Sequence, residues 1–482
     1  MGSRFIDRIA AFSLLALVGA AACGGTGDSG DGEALGEESA AITIEVGPPS
    51  DVLSDVARLS LPEAAEVTAD DAFAVAVAGD SRSFTETTGD TTRPPITPPA
   101  EPSGTDVENC LEGSDAPGGR IYNRFLYCMT GEIRPSYVVS PLGEVGHATV
   151  KIQVVAYGRD DGQRNIKVFL RATEASSGGY AGSPSTVVRA WVDCVEPSAG
   201  CSAGGPTVTQ IVRNWDRDRR WHEFTVESNE NISDAPDKVL RHKWTIRSQA
   251  RFPGGWPFRG GETSIASFDA RIIRCDSAKY FRGRNAACIH DEVIPHLQYR
   301  TSDDRVDEVA YHILMAQENA AETWPDYGSA KRIPGKFIPG NASAAGLHRV
   351  RYGGADFYKK NVSTKNSACR RTGDYAGARG LPAELYNPPA QQCDEYPFAT
   401  TEEGAASQAW DFSVLGVKAS DNNCAGRALQ RYYLEDRILY HNDKFFVEIH
   451  ADGPPPPEVD SGECQWQPSD YEDGTGPLDP ED

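Results

Sequence analysis

Beyond residue 22 the chain has no apolar run long enough to cross a bilayer as a helix, so no membrane-spanning helix is expected there. It has no Cys-x-x-Cys pair and its nine histidines are scattered, which leaves a structural zinc site as the lesser reading of its eleven cysteines. No segment repeats. Basic residues are scarce in two long stretches. Between Gly24 and Cys110, eighteen acids face only Arg58, Arg82 and Arg93, and from Ala451 to Asp482 ten acids face no base at all. These two stretches carry −15 and −10, so the net −23 of the whole chain leaves the middle close to neutral. A polyanionic ligand, disfavoured by the total charge, is therefore compatible with the folded part.

At the N-terminus, Arg4 and Arg8 precede an apolar run from Ile9 to Ala22, with the charge and length of a signal peptide over residues 1–22. The run ends Ala20-Ala21-Ala22-Cys23, which resembles a lipoprotein cleavage site. Cys23 is then the lipidated first residue and the membrane a partner through that lipid; ordinary signal peptidase cleavage is the alternative. A surface-tethered or secreted bacterial protein is expected. Without Cys23 the cysteines number ten, an even count suited to an oxidising compartment. Neighbours in sequence suggest Cys110 with Cys128, Cys194 with Cys201, Cys275 with Cys288, Cys369 with Cys393, and Cys424 with Cys464.

Composition divides the rest. Residues 23–109, rich in Gly, Ala, Ser, Thr, Asp and Glu and closing in prolines, read as a disordered acidic stalk, and residues 451–482 as an acidic disordered tail. Between 110 and 270, six strand-like runs (Thr149–Tyr157, Asn165–Thr173, Thr186–Cys194, His222–Ser228, Lys238–Ser248 and Ser264–Arg274, the last running just past 270) predict an all-β, sandwich-like domain. Its His147, His222 and His242 fall near no acidic motif and read as ordinary histidines. Residues 271–450 form a further domain of α+β class.

In that last domain Asp394, Glu395, Glu402, Glu403 and Asn422 lie within thirty residues. Phosphodiester hydrolysis requires a base to activate water and a hard cation to neutralise growing charge, and carboxylates with an amide oxygen supply both. Acidic pairs also occur on plain solvated loops. Trp410–Lys418 reads as a strand, Asn422–Leu434 as a helix and Lys444–Ile449 as a strand, so the order is carboxylate loop, strand, helix, strand. Ser420-Asp421-Asn422 sits where a helix N-cap belongs, and capping is the alternative role for Asn422. Ser302 reads as the N-cap of another helix, with Val306, Val309, Ile313, Gln317 and Ala320 at helical spacing and His312 just off the stripe. From Lys331 to Arg379 eleven bases, among them Lys331, Lys336, Arg349, Arg351, Lys365, Arg370 and Arg371, face only Asp356 and Asp374. With Tyr352, Phe357 and Tyr358 interleaved, they suggest a surface for a nucleic-acid backbone, against the alternative of a merely solvated face.

The stretch Cys393-Asp394-Glu395-Tyr396-Pro397-Phe398-Ala399, followed by Glu402-Glu403-Gly404, resembles the signature of the NucA/NucB family of secreted bacterial deoxyribonucleases. The resemblance extends through Arg274-Cys275-Asp276, Tyr280-Phe281, Cys288, Pro295, His312-Ile313, Ala316, Ser420-Asp421-Asn422, Ala425-Gly426 and Asp443-Lys444-Phe445-Phe446-Val447, from Arg274 to near His450. It implies a ββα-metal (His-Me finger-like) core, DNA as substrate, and a divalent cation, Mg²⁺ or Mn²⁺. Carried over by position, Asp394 stands where those nucleases use a histidine base, with Glu395 beside it as a second catalytic carboxylate. Asn422 and Glu403 stand for the metal shell, and Glu395 is the alternative acid there. Arg427, Arg431, His312, Arg370 and Arg371 are the substrate-binding candidates. Asn423-Cys424 departs from the Arg-Gly of compact members. No feature demands an obligate protein partner. The readings from other classes are a non-catalytic surface binding protein using its β domain, or a nuclease directed at RNA or at competitor DNA.

Overall fold

Alternation of buried and exposed residues along long strands builds the first half of the molecule. The structure is a computed structural model that describes residues 96–115, 118–195, 199–255, 259–281, 283–350, 355–440 and 443–451. In chain order the strands are β1 (Arg120–Asn123), β2 (Leu126–Ile133), β3 (Ser136–Val139), β4 (Gly143–Tyr157), β5 (Asn165–Gly179), β6 (Val187–Cys194), β7 (Cys201–Gly204), β8 (Val208–Ile211), β9 (His222–Ser228), β10 (Leu240–Phe252), β11 (Gly261–Glu262), β12 (Ala266–Ser267), β13 (Arg271–Asp276), β14 (Ala287–His290), β15 (His296–Arg300), β16 (Leu347–His348), β17 (Gln391–Tyr396), β18 (Ser413–Lys418) and β19 (Lys444–His450). The helices are α1 (Thr105–Leu111), α2 (Val212–Arg217), α3 (Asp307–Glu318), α4 (Ala355–Cys369) and α5 (Ala419–Glu435).

Two sheets share the first core. One runs β1-β2-β4-β5-β9-β7, with β3 also on β4; the other runs β14-β13-β10-β6-β8, with β11 and β12 on β10. Val150, Ile152, Val154, Val168 and Leu170 of the first meet Val188, Ala190, Trp244, Ile246 and Ala250 of the second in one buried cluster. Period-two alternation faces these branched side chains inward. The expected Ser264–Arg274 strand is broken into β12 and β13, and β13 with β14 extends the second sheet. Residues 96–109, expected to close a disordered stalk, lie against the sandwich instead. Asp160 N–H donates to Ile96 O at 3.2 Å, and α1 packs Val107 and Cys110 onto Leu126, Val155 and Phe169. The Cys110–Cys128 disulfide fastens that helix, which composition alone did not show. The pairs 194–201, 275–288 and 369–393 also form. The expected partner of Cys424, Cys464, lies outside the described residues, as do the signal peptide, Cys23, most of the stalk, and the tail beyond Ala451.

The second core is α+β. β15, β19 and β16 form a sheet in which β15 and β19 are parallel, and Leu297, Tyr299, Leu347, Phe445 and Val447 face a cluster with Val309, Ile313, Leu429, Tyr432 and Tyr433 of α3 and α5. β17 and β18 form a separate antiparallel hairpin pairing Asp394 with Leu415 and Glu395 with Val414. Side chains at alternate positions of a strand point to opposite faces. Accordingly Tyr396 and Val417 join the α3/α5 cluster, while Cys393 and Val414 join Ala368 and Cys369 of α4. The hairpin is thus covered on both faces, and the chain runs strand, strand, helix from β17 through β18 to α5.

Two helix starts differ from expectation. α3 begins at Asp307 with Val306 at the cap position, not at Ser302, and α5 begins at Ala419 with Lys418 at the cap position, which puts Asn422 inside the first turn. The acids that satisfy these ends come from the neighbouring helix. Glu308 of α3 accepts the Lys418 N–H at 2.6 Å, and Asp421 of α5 accepts the Glu308 N–H at 3.4 Å. A local sequence pattern does not report a cap supplied from another helix.

Candidate active site

Asp394 sits mid-strand on the β17 face that looks toward α3 and α5. Its Oδ2 lies 2.6 Å from Nδ1 of His312, and Nε2 of the same ring lies 2.8 Å from the Ser413 hydroxyl on β18. The histidine is 2 % exposed and Asp394 6 %, so His312 contacts no bulk solvent and is not placed to touch a large substrate directly. It is placed to hold the carboxylate. Among the described residues Oδ1 of Asp394 has no hydrogen-bond partner. Two residues back on the same face, Gln392 accepts a hydrogen bond from the Asn422 side-chain amide at 2.8 Å, which leaves the Asn422 Oδ1 without a protein partner among the described residues. Strand alternation and the first turn of α5 therefore gather Asp394, Gln392 and Asn422 on one side of the hairpin.

Glu395 points the other way. Its carboxylate meets the Lys365 ammonium of α4 at 3.0 Å and accepts the Ala399 N–H at 3.0 Å, and burial raises its pKa above the usual carboxylate range. Glu403 is buried on the loop between the two strands, with Oε1 taking Nδ1 of His348 at 2.9 Å and Oε2 the His348 backbone N–H at 2.8 Å. The same loop is held by Asn361 of α4, whose amide donates to Ala399 O and Thr401 O while its oxygen accepts the Ala406 N–H. At the start of α5, Asp421 is pushed up to about 7 by burial and by the neighbouring carboxyl of Asp307.

The candidate cations separate into several places. Arg431 is tied to Glu435 one turn further along α5 at 2.9 Å, and Arg427 is half-buried on the same helix. Arg370 and Arg371 follow α4, beyond the opposite face of the hairpin; Arg370 is exposed and Arg371 donates to Gly377 O at 2.9 Å. The basic stretch 331–379 does not form one surface. Arg349 is buried between the rings of Tyr433 and Tyr440 with its guanidinium on Ile438 O. Lys331 donates to Phe412 O and burial lowers its pKa to about 7; Lys336 pairs with Glu318; Lys365 pairs with Glu395. Lys359, Lys360, Arg370 and Arg379 remain exposed, and Arg351 and Tyr352 lie outside the described residues.

Sequence reasoning missed Gln392, Ser413 and Asn361, and took Lys365 for part of a nucleic-acid surface where it instead pairs with Glu395. The period-two spacing of Gln392 to Asp394, and the i, i+4 spacing of Asn361 and Lys365 within a helical stretch, were the available signals. Ser413 carried none, because only the pairing of β17 with β18 brings it to His312.

The hairpin, α4, α5 and most of β19 coincide with a match to known proteins. Residues 349–448 match the family model described as Deoxyribonuclease NucA/NucB. No curated protein and no solved structure matches the chain.

Proposed function

From a chain that carries a NucA/NucB deoxyribonuclease domain at residues 349–448, and that is through this domain a hydrolase acting on DNA, we propose an exported, metal-dependent endonuclease in which Asp394 is the general base. One observation carries the assignment of the base: His312 holds one oxygen of Asp394 at 2.6 Å while the other has no partner among the described residues, on the same strand face as the Gln392–Asn422 contact. A water on that second oxygen gives up its proton to Asp394. The hydroxide forms a bond to phosphorus, the bond from phosphorus to the leaving deoxyribose oxygen breaks, and that oxygen is protonated from water. Asp394 then returns its proton to solvent. The hydrogen bond from His312 keeps the carboxylate oriented throughout, which is the advantage of a base held in one geometry.

Family resemblance implies a divalent cation, and the residues present fit one at Asn422. Its open amide oxygen is a hard donor of the kind Mg²⁺ or Mn²⁺ accepts. Among the described residues no group of three or more His, Cys, Asp and Glu is gathered to hold a metal, so such a cation would keep several waters, as Mg²⁺ commonly does. When bound it neutralises charge on the scissile phosphate. Glu403, whose two oxygens are occupied by His348, is not needed in this reading; Glu395 serves with Lys365 to fix α4 on the hairpin. Arg427 of α5 is a candidate for a phosphate contact. Export through the N-terminal signal, with a lipid on Cys23, completes the proposal.

The test is nicking of supercoiled plasmid by the chain from Gly24 onward, with Mg²⁺ or Mn²⁺ and with EDTA, beside Asp394→Asn and Asn422→Ala. Loss of nicking in EDTA and in Asp394→Asn, by a factor of about 10² or more, is expected. A fully active Asp394→Asn would sink the assignment of the base, and activity in EDTA would remove the metal. Faster cleavage of RNA under the same conditions would overturn the preference for DNA.

A further inference from the structure

The sandwich meets the nuclease portion through charged side chains that are all buried. Arg124, Arg274, Asp276, Arg437 and Asp443 are each 1 % exposed or less. Arg274 and Asp276 lie on β13, a strand of the second sandwich sheet. Arg274 binds Asp443 just before β19 and reaches Asp276 at 3.3 Å; Asp276 binds Arg437, just after α5, at 2.6 Å. Arg437 also donates to Arg284 O, and Arg284 binds Asp160 from the β4–β5 turn at 2.9 Å. Arg124, from the turn between β1 and β2, donates to Asp436 O at 2.9 Å with Asp443 3.4 Å away.

Among these five residues three cations face two carboxylates. The balance comes from carbonyls at the C-terminal end of α5, the negative end of a helix dipole: Arg124 takes Asp436 O and Arg274 takes Arg437 O at 3.1 Å. Beside this join, backbone hydrogen bonds tie the two sandwich sheets to each other. His290 N–H donates to Arg124 O at 2.8 Å, and Arg159 and Cys288 exchange both hydrogen bonds at 2.8 and 2.9 Å. A buried charge relies on its partners, and removing one costs more than the pair contributes; among the described residues Nε and Nη2 of Arg124 and Nε of Arg274 have no hydrogen-bond partner, so the remaining contacts carry the network. Here the partners are divided between the two portions of the chain.

We infer that the sandwich is the fixed wall on which Asp436, Arg437 and Asp443 of the same chain are seated, and that the nuclease portion does not fold without it. Its use to the nuclease is rigidity: α5 is a single helix with Asn422 in its first turn and the clamp at its last, so the wall sets the tilt of the helix that presents Asn422. A β domain hung beside an autonomous nuclease as a separate binding module would need no such shared network of buried charge.

The experiment is native-state hydrogen exchange on the oxidised chain from Gly24, with calorimetry of the same protein and of Arg124→Met. Amides of β4, α5 and β19 are expected to share one opening transition, and calorimetry to show one cooperative peak that Arg124→Met moves down as a whole by roughly 5 °C. Two peaks, or an opening of α5 at markedly lower denaturant than β4, would overturn the inference. If Arg124→Met does not accumulate as folded protein, the exchange data on the unaltered chain decide alone. None of these readouts uses DNA cleavage, so a chain that unfolds as one unit but leaves plasmid intact would count against the catalytic reading and not against the shared fold.

Discussion

The two oxygens of Asp394 have different surroundings, and that difference is what a base on this strand requires. One is held by a buried ring that is itself held by Ser413. His312→Ala is therefore expected to lower nicking by about 10²-fold with little change in substrate affinity, since misplacing a catalytic group by an ångström has consequences of that order. His312→Asn, which retains one N–H donor, should recover part of the loss. The check is kcat and KM measured separately on a short duplex. Two other histidines contribute to acid stability. Burial pushes His242 and His290 down to about 4 from an ordinary 6.5, with Arg164 adding to the effect on the first and Arg271 on the second. As pH falls from about 6.5 to about 4 the unfolded chain binds protons on these rings and the folded chain does not. Stability thus falls across that window, by up to about 1.4 kcal/mol per pH unit for each ring. His290→Gln should flatten the slope in urea unfolding between pH 4.5 and 7; an unchanged slope would show that the ring is not held neutral.

At the scale of elements, α4 has two working faces. Asn361, Lys365, Ala368 and Cys369 turn inward to grip the hairpin and its loop, while Lys359, Lys360 and Ser363 are exposed. Asn361→Ala would leave Ala399 O and the Ala406 N–H of the 399–406 loop without their partner, while Thr401 O still accepts the Gly404 N–H at 3.1 Å, a loss of about 2–4 kcal/mol at the usual cost of such groups. A lower melting temperature with nicking lost before global unfolding is expected, because this loop joins the two strands of the site. The strand, helix and strand that follow the carboxylates were legible from hydrophobic periodicity, and so was most of the sandwich, but the stretch holding Asp394 read as a loop where the structure has β17, and α4 carried no reading as a helix. Helix starts were not, because Glu308 and Asp421 cap one another's helices across 113 residues of sequence. β16, with two residues, is too short to show alternation and owes its existence to pairing with β19.

For the whole molecule the uneven charge has a kinetic consequence. Residues 451–482 carry ten acids and no base, on a chain of net −23. Removing 452–482 should raise kcat/KM on duplex DNA several-fold at about 0.02 M ionic strength, and the gain should vanish near 0.3 M, where the Debye length falls to roughly 6 Å. Equal rates at both salt concentrations would show that the tail has no effect on the approach of DNA.

Legible in the chain were the residue types of the site, the strand and helix that follow the carboxylates, neighbouring cysteines whose suggested pairs form as four disulfides in the structure, and the separation of a β-rich half from an α+β half. These are properties of local periodicity, composition and near-neighbour spacing. Tertiary structure alone decided that adjacent carboxylates Asp394 and Glu395 face opposite sides of one strand toward different helices, that Glu403 is bound to His348, and that Arg349 and Lys365 are internal. It also decided that β13 belongs to the sandwich sheet while its Arg274 and Asp276 serve the nuclease portion. Each of these depends on which distant segment supplies a partner for a buried charge or an orphan hydrogen bond, and no local pattern in the chain records that choice.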